Sequence, residues 1–154
     1  TLFFTDVLMF IGGAAGSAAG GIKVQTFALL LLAIAASAAG REDVVAYGRQ
    51  VPNTAVHRAV AVALLSIALV VTVSLVLSVT ETAPFSHVLM ETVSAFGTVG
   101  FSAGLTQHLS IMGRLLIIVT MFAGRLGPLT LVLALIARTK PHSLRYAPEL
   151  VKIG

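Results

Sequence analysis

Residues Ser94-Ala95-Phe96-Gly97-Thr98-Val99-Gly100-Phe101-Ser102 have the types and spacing for one kind of chemistry, the replacement of water around a cation. Successive main-chain oxygens of Thr98, Val99, Gly100 and Phe101 can turn toward a common axis and stand in for an ion's hydration shell. Gly100 permits the alternating carbonyl directions that a side chain resists. A helix ending just before this loop would also point its negative C-terminal end at the ion. One such loop cannot surround an ion. Four are required, from four chains or from repeats within a longer one. A Thr-Val-Gly turn between two ordinary helices would look the same over three residues, so the flanking elements decide.

Those elements are apolar. The chain is 57% hydrophobic and 10% charged, against about 25% charged in ordinary soluble domains. Ala59 to Val79 carries no charge over 21 residues. As a helix it would be roughly 31 Å long, matching a hydrocarbon core of about 30 Å. A second apolar run, Ile111 to Ala137, follows the loop. Between them, Pro84 suits the first turn of a helix that Thr82 or Ala83 could cap. From Pro84 to Phe96 such a helix is only about 20 Å long and reaches partway through a bilayer. Gly97, Gly100 and Gly104 then allow an irregular return near His108. Non-helical backbone at that depth survives only where protein buries it or water lines it. The pattern is therefore span, re-entrant half-helix with loop, span.

The N-terminal third is apolar but interrupted. An unbroken helix from Leu2 to Ser37 would be about 54 Å long, well beyond a bilayer. Gly12, Gly13, Gly16, Gly20 and Gly21, with Ser17 and alanines between them, should open it into a loop, since each glycine costs up to ~1 kcal/mol in a helix. Such a loop would suit a mobile barrier below an ion filter, or else close helix packing through small residues. A phosphate loop is excluded: Ile22 separates Gly21 from Lys23, where that motif needs lysine directly after glycine, and no strand precedes it.

Two charges sit inside apolar segments. Arg125, in Met121–Pro128, costs ~2.5–3.5 kcal/mol at a span's centre and needs water or a partner. It reads as a contact to the glycine-rich loop, where its five fixed donors suit several carbonyls, or as one half of an ion pair. Glu91, on the half-helix, reads as a charge that attracts cations or as a buried carboxylate that fixes the loop by hydrogen bonds. The second reading is preferred. Arg114 lies near the outer end of the last span, where snorkelling explains it.

Topology follows from the basic residues. Arg41, Arg49 and Arg58 lie in the 40–58 segment, and Arg138, Lys140, Arg145 and Lys152 in the tail, whereas the 80–87 connection has none. The linker and C-terminus are thus expected in the cytoplasm, with the 80–108 excursion entering from outside, in a multi-pass protein of the cell membrane. The fold class is all-α membrane. Its parts are a broken helix with a gating loop (1–37), a cytoplasmic linker (38–58), a pore repeat (59–137) and a tail (138–154). Thr1 is followed at once by apolar residues, with no charged region before them, so a signal peptide is not expected and the chain reads as part of something longer. His57, His87, His108 and His142 show no metal-ligand spacing, and no nucleophile–base pairing is visible. An enzyme is not expected, nor a cofactor bound covalently, and the net charge of +4 is no nucleic-acid signature.

Four stretches, MFIGGAAGSAAGGIKVQTF (9–27), SAFGTVGFSAGLT (94–106), MFAGRLGPLTL (121–131) and RYAPELVKIG (145–154), together resemble the Trk/Ktr/HKT superfamily of potassium transporters, in particular the bacterial Ktr membrane subunit. The resemblance implies four such repeats around one pore, with residues 1–37 matching the end of the third and 55–137 the fourth. It implies a K+ filter at Thr98, Val99, Gly100, Phe101 and Ser102, with K+ on the carbonyls of Thr98, Val99 and Gly100. It implies a gating loop at Gly12, Gly13, Gly16, Ser17, Gly20 and Gly21, contacted by Arg125. K+ is then the substrate, with Na+ as a coupling or activating ion. The implied partners are membrane lipid, a second copy through the tail, and a cytosolic ring of nucleotide-binding regulatory subunits. Ala18 stands where related loops often carry Thr, and Ala103 where Ser or Thr is common. A homotetrameric potassium channel subunit is the alternative.

Overall fold

The computed structural model describes residues 2–14, 16–41, 43–46, 48–127 and 130. The expectations for the tail, and for the last span beyond Thr130, lie outside them. Five helices and one small hairpin make up the described chain: α1 (Leu2–Phe10), α2 (Val24–Ala38), β1 (Val45–Ala46), β2 (Arg49–Gln50), α3 (Asn53–Thr80), α4 (Phe85–Gly97) and α5 (Ile111–Leu126). The fold is mostly helical. The antiparallel hairpin, with Ala46 paired to Arg49, was not expected from the sequence.

The glycine-rich stretch is indeed not helical. Between α1 and α2 the chain runs irregularly from Ile11 to Lys23, tied at its neck by a parallel bridge between Ile11 and Ile22. Phe10 O accepts from both Gly12 N (3.1 Å) and Ile22 N (3.2 Å), so the loop leaves and returns at one point.

Helix α3 starts at Asn53, earlier than the apolar run alone suggests, because Pro52 supplies an extended residue ahead of the first turn. Its 28 residues correspond to about 42 Å, and among the described residues it is the one helix long and apolar enough to cross a bilayer. Helix α5 stops at Leu126, where Gly127 takes φ 83° and its amide closes on Ala123 O (3.0 Å). The continuous run expected from 111 to 137 is therefore interrupted there.

Helix α4 is the centre of the packing, touched by α1, α3 and α5. It is 13 residues long, and Pro84 itself occupies the N-cap position, with no side-chain cap from Thr82. Its C-terminal half, Met90 to Gly97, is wholly buried. One cluster joins α3, α4 and α5 through Val73, Leu77, Val88, Ala95 and Ile117. A second joins α1, α3 and α4 through Met9, Val70, Met90, Val93 and Phe96, with the Phe10 and Phe96 rings 5.6 Å apart. Buried hydroxyls that would be costly in apolar surroundings bond back to their own helices: Thr92 to Val88 O (2.8 Å), Ser66 to Val62 O (2.7 Å) and Thr120 to Leu116 O (2.8 Å).

The ends of α3 and α5 nearest the loop are stapled together. Glu81 accepts from the Ser110 amide (3.2 Å) and from its hydroxyl (2.5 Å). Ser110 Oγ in turn caps α5 by accepting from Gly113 N (3.0 Å). Glu81 thus sets a carboxylate at the positive end of α5.

Candidate functional site

The loop after α4 begins with a reversal. Val99 N donates to Ser94 O (3.0 Å) and Thr98 N to Ala95 O (3.1 Å), the two bonds of a Schellman turn. The left-handed position that glycine usually takes there is held by Thr98, at φ 53°, a conformation costing a side-chain-bearing residue roughly 1–2 kcal/mol. Gly100 follows at φ +85° with open space where a side chain would lie. Val99, Gly100, Phe101 and Ser102 are all exposed, in contrast to the buried helix before them.

The glycine-rich loop docks against this turn. Gly20 N donates to Gly97 O (3.1 Å) and also to Thr98 Oγ1 (2.9 Å). A Cβ on Gly20 would lie 2.7 Å from Phe96 O, and one on Gly97 would lie 2.6 Å from Met9 O. On the other side, any side chain at Gly124 of α5 would collide with the same Phe96 carbonyl. Three segments distant in sequence thus converge through glycines on the last peptides of α4. The close-packing alternative for the loop is met at Gly20, within a segment that is also irregular.

The other loop residues fall into two groups. Gly12 and Gly13 join Ala19, Gly97, Val99 and Phe101 in lining a groove of about 460 Å³ that runs from the loop past the turn. Gly16 (φ +85°) and Ser17 are exposed at the loop's tip, and Gly21 (φ +78°) is buried at its neck. Lys23, which the sequence did not single out, donates from Nζ to Ser17 O (3.5 Å) and to Ala19 O. Arg125 lies beside Gly124; it is exposed and makes no hydrogen bond or ion pair among the described residues.

Glu91 is a buried carboxylate that fixes the loop, as preferred from the sequence. It is 5% exposed. Ser102 Oγ donates to Oε2 (2.7 Å) and Thr106 Oγ1 donates to Oε1. Asp6 of α1 was also missed: 6% exposed, with Oδ1 unbonded among the described residues. No cluster of three metal-binding side chains occurs among the described residues.

Residues 1–144 match the TrkH family, described as cation transport protein. The chain belongs to the TrkH family. It is 42% identical over 146 residues to "Ktr system potassium uptake protein B" of Bacillus subtilis, covering 95% of this chain and 33% of that protein. It is 41% identical over 153 residues to the protein of the same name from Vibrio alginolyticus, covering 99% and 33%. It is 38% identical over 159 residues to "Potassium/sodium uptake protein NtpJ" of Enterococcus hirae, covering 99% and 35%. The chain thus spans about a third of the length of these curated relatives. The family's description is cation transport, and the printed names of these relatives are those of potassium or potassium/sodium uptake proteins.

Proposed function

We propose that this chain forms part of the wall of a potassium uptake pore in the cell membrane, with Thr98–Ser102 as one quarter of its ion filter and Gly12–Gly21 as the barrier below. The observation that supports this most is the seam of Gly20 N with Gly97 O and Thr98 Oγ1. It joins the irregular loop directly to the end of the half-helix, beside exposed backbone with the freedom to present carbonyls. The names of the relatives supply potassium, and that of one adds sodium.

In this reading the cation loses water against the carbonyls of Thr98, Val99 and Gly100, helped by the negative C-terminal end of α4. Gly12, Gly13 and the rest of the loop then obstruct the groove beneath until the loop moves. In the assembled pore Arg125, exposed here beside the contact of Gly124 with Phe96 O, would bear on that loop and set its resting position. The remaining filter quarters come from the rest of a longer chain, since relatives three times as long have room for them. The linker and tail face the cytoplasm, and Na+ acts as a coupling or activating ion. Each pore pairs with a second copy and is regulated by a cytosolic nucleotide-binding ring.

The test is ion competition. In the full-length transporter carrying this segment, Gly100→Ser forces a side chain onto a φ of +85°, which L-residues resist. Rubidium influx should then lose its preference for potassium over sodium as competitor. Unchanged competition in a folded Gly100→Ser protein would remove the filter assignment.

A further inference from the structure

We propose that Glu91 is a positioning residue that sets ion discrimination, by tying down the far end of the loop whose near end is held by Thr98. The inference rests on the reading of Thr98–Ser102 as a filter and names a residue outside it on which that filter depends.

The loop is a strap fastened at two places. Its lower end is bound by the Schellman turn and by Gly20. Its upper end is bound through Ser102 and Thr106, both of which donate to the one carboxylate of Glu91. Between these points, Gly100 and Phe101 make no hydrogen bond among the described residues and pack no side chain into the core. The spacing of their carbonyls is therefore decided by where the two fastenings stand. The upper fastening is rigid. Glu91 is buried on α4, both its oxygens are used, and Ser102 Oγ additionally accepts from Gly104 N (3.0 Å) and lies 2.8 Å from Thr106 Oγ1. Leu105, seated in the core between the two hydroxyl residues, holds the return in place.

Two contributions can be separated. The tie is geometric and needs an acceptor of the right shape. The charge is electrostatic, since no Lys or Arg bonds to Glu91 among the described residues, and it adds attraction for a cation in the loop. A glutamine keeps the shape: its oxygen accepts from one hydroxyl and its amide donates to the other. It removes only the charge.

The experiment compares Glu91→Ala, Glu91→Gln, Thr106→Val and Gly100→Ser in the full-length transporter, reading rubidium influx against potassium and sodium as competitors. Loss of hydrogen bonds to a charged group is large enough to move a preference about tenfold, and Glu91→Ala should lose about that much potassium discrimination. Glu91→Gln should restore discrimination to within about twofold of the parent, with a raised KM for potassium and little change in maximal rate. Thr106→Val, outside the filter, cuts one of the two ties and should lose an intermediate amount. If Glu91→Ala does not fold, Thr106→Val with Glu91→Gln carries the test: reduced discrimination in the first and near-parent discrimination in the second support the tie. Parent-like discrimination in Glu91→Ala, or in Thr106→Val where Glu91→Ala does not fold, alongside a degraded Gly100→Ser, overturns the role of Glu91 and leaves the filter standing. Parent-like discrimination in Gly100→Ser as well would remove the filter itself.

Discussion

The seam between the glycine-rich loop and the filter turn makes Thr98→Val the most informative substitution. Valine has the shape of threonine, so the φ of 53° and its strain stay as they are, and only the acceptor for Gly20 N is lost. A neutral, part-buried hydrogen bond is worth about 0.5–1.5 kcal/mol net, which at an RT of about 0.59 kcal/mol corresponds to a shift of about 2- to 13-fold in an equilibrium. Gly97 O still accepts from the same amide at 3.1 Å, so the lower part of that range, about 2- to 5-fold, is expected. If the seam holds the barrier in its resting position, resting flux should rise by that factor. The assay is rubidium uptake into potassium-loaded proteoliposomes containing the full-length transporter without activating partners. Thr98→Ser, which keeps the hydroxyl, should behave like the parent. Because Thr98 also belongs to the proposed filter, sodium competition is measured in the same vesicles to separate a looser barrier from a damaged filter. Equal resting flux in parent, Val and Ser variants, all folded, would show that the seam does not restrain the loop.

Other outcomes follow from the same geometry. Gly124→Ala places a methyl against Phe96 O and should destabilise the protein by about 1–3 kcal/mol through overpacking, read as a lower unfolding midpoint in detergent; an unchanged midpoint would mean that α5 does not press on α4. Glu81→Ala removes the staple between α3 and α5 at a cost of about 1–2 kcal/mol, with ion discrimination left intact; a loss of discrimination without destabilisation would contradict this structural role. Arg125→Ala should raise resting flux, and a folded variant whose flux and regulation match the parent would end the proposed contact with the loop.

Much of the helical layout is legible in the residues themselves. A bilayer penalises every unpaired backbone group and every charge, so the uncharged run at 59–79 and the proline-led segment at 84–96 announce a long helix and a short one. The irregular segment at 11–23 is legible for a related reason, since five glycines remove the side chains that hold a helix together. The preferred role of Glu91 could also be read in advance, because a carboxylate at that depth needs donors and the following loop holds Ser102 and Thr106.

The partners of those elements were not legible. Gly20, Gly97 and Gly124 are 77 and 27 residues apart, and no local pattern says that the first and last abut the carbonyl of Phe96 while Gly97 abuts that of Met9. A glycine needed for close approach has the same letter as one needed for a turn. Lys23 entered the sequence reading only to exclude a phosphate loop, yet it holds loop carbonyls, while Glu81 and Ser110 are 29 residues apart and meet only because α3 and α5 stand side by side. Local chemistry, then, was decided by the order of residues, through hydropathy, helix-breaking and the energetic demand for paired polar groups. Which loop touches which helix end was decided only when packing brought distant groups within hydrogen-bonding range, because those contacts depend on space left by missing side chains and on side chains, such as Thr98 and Glu81, whose partners lie far along the chain.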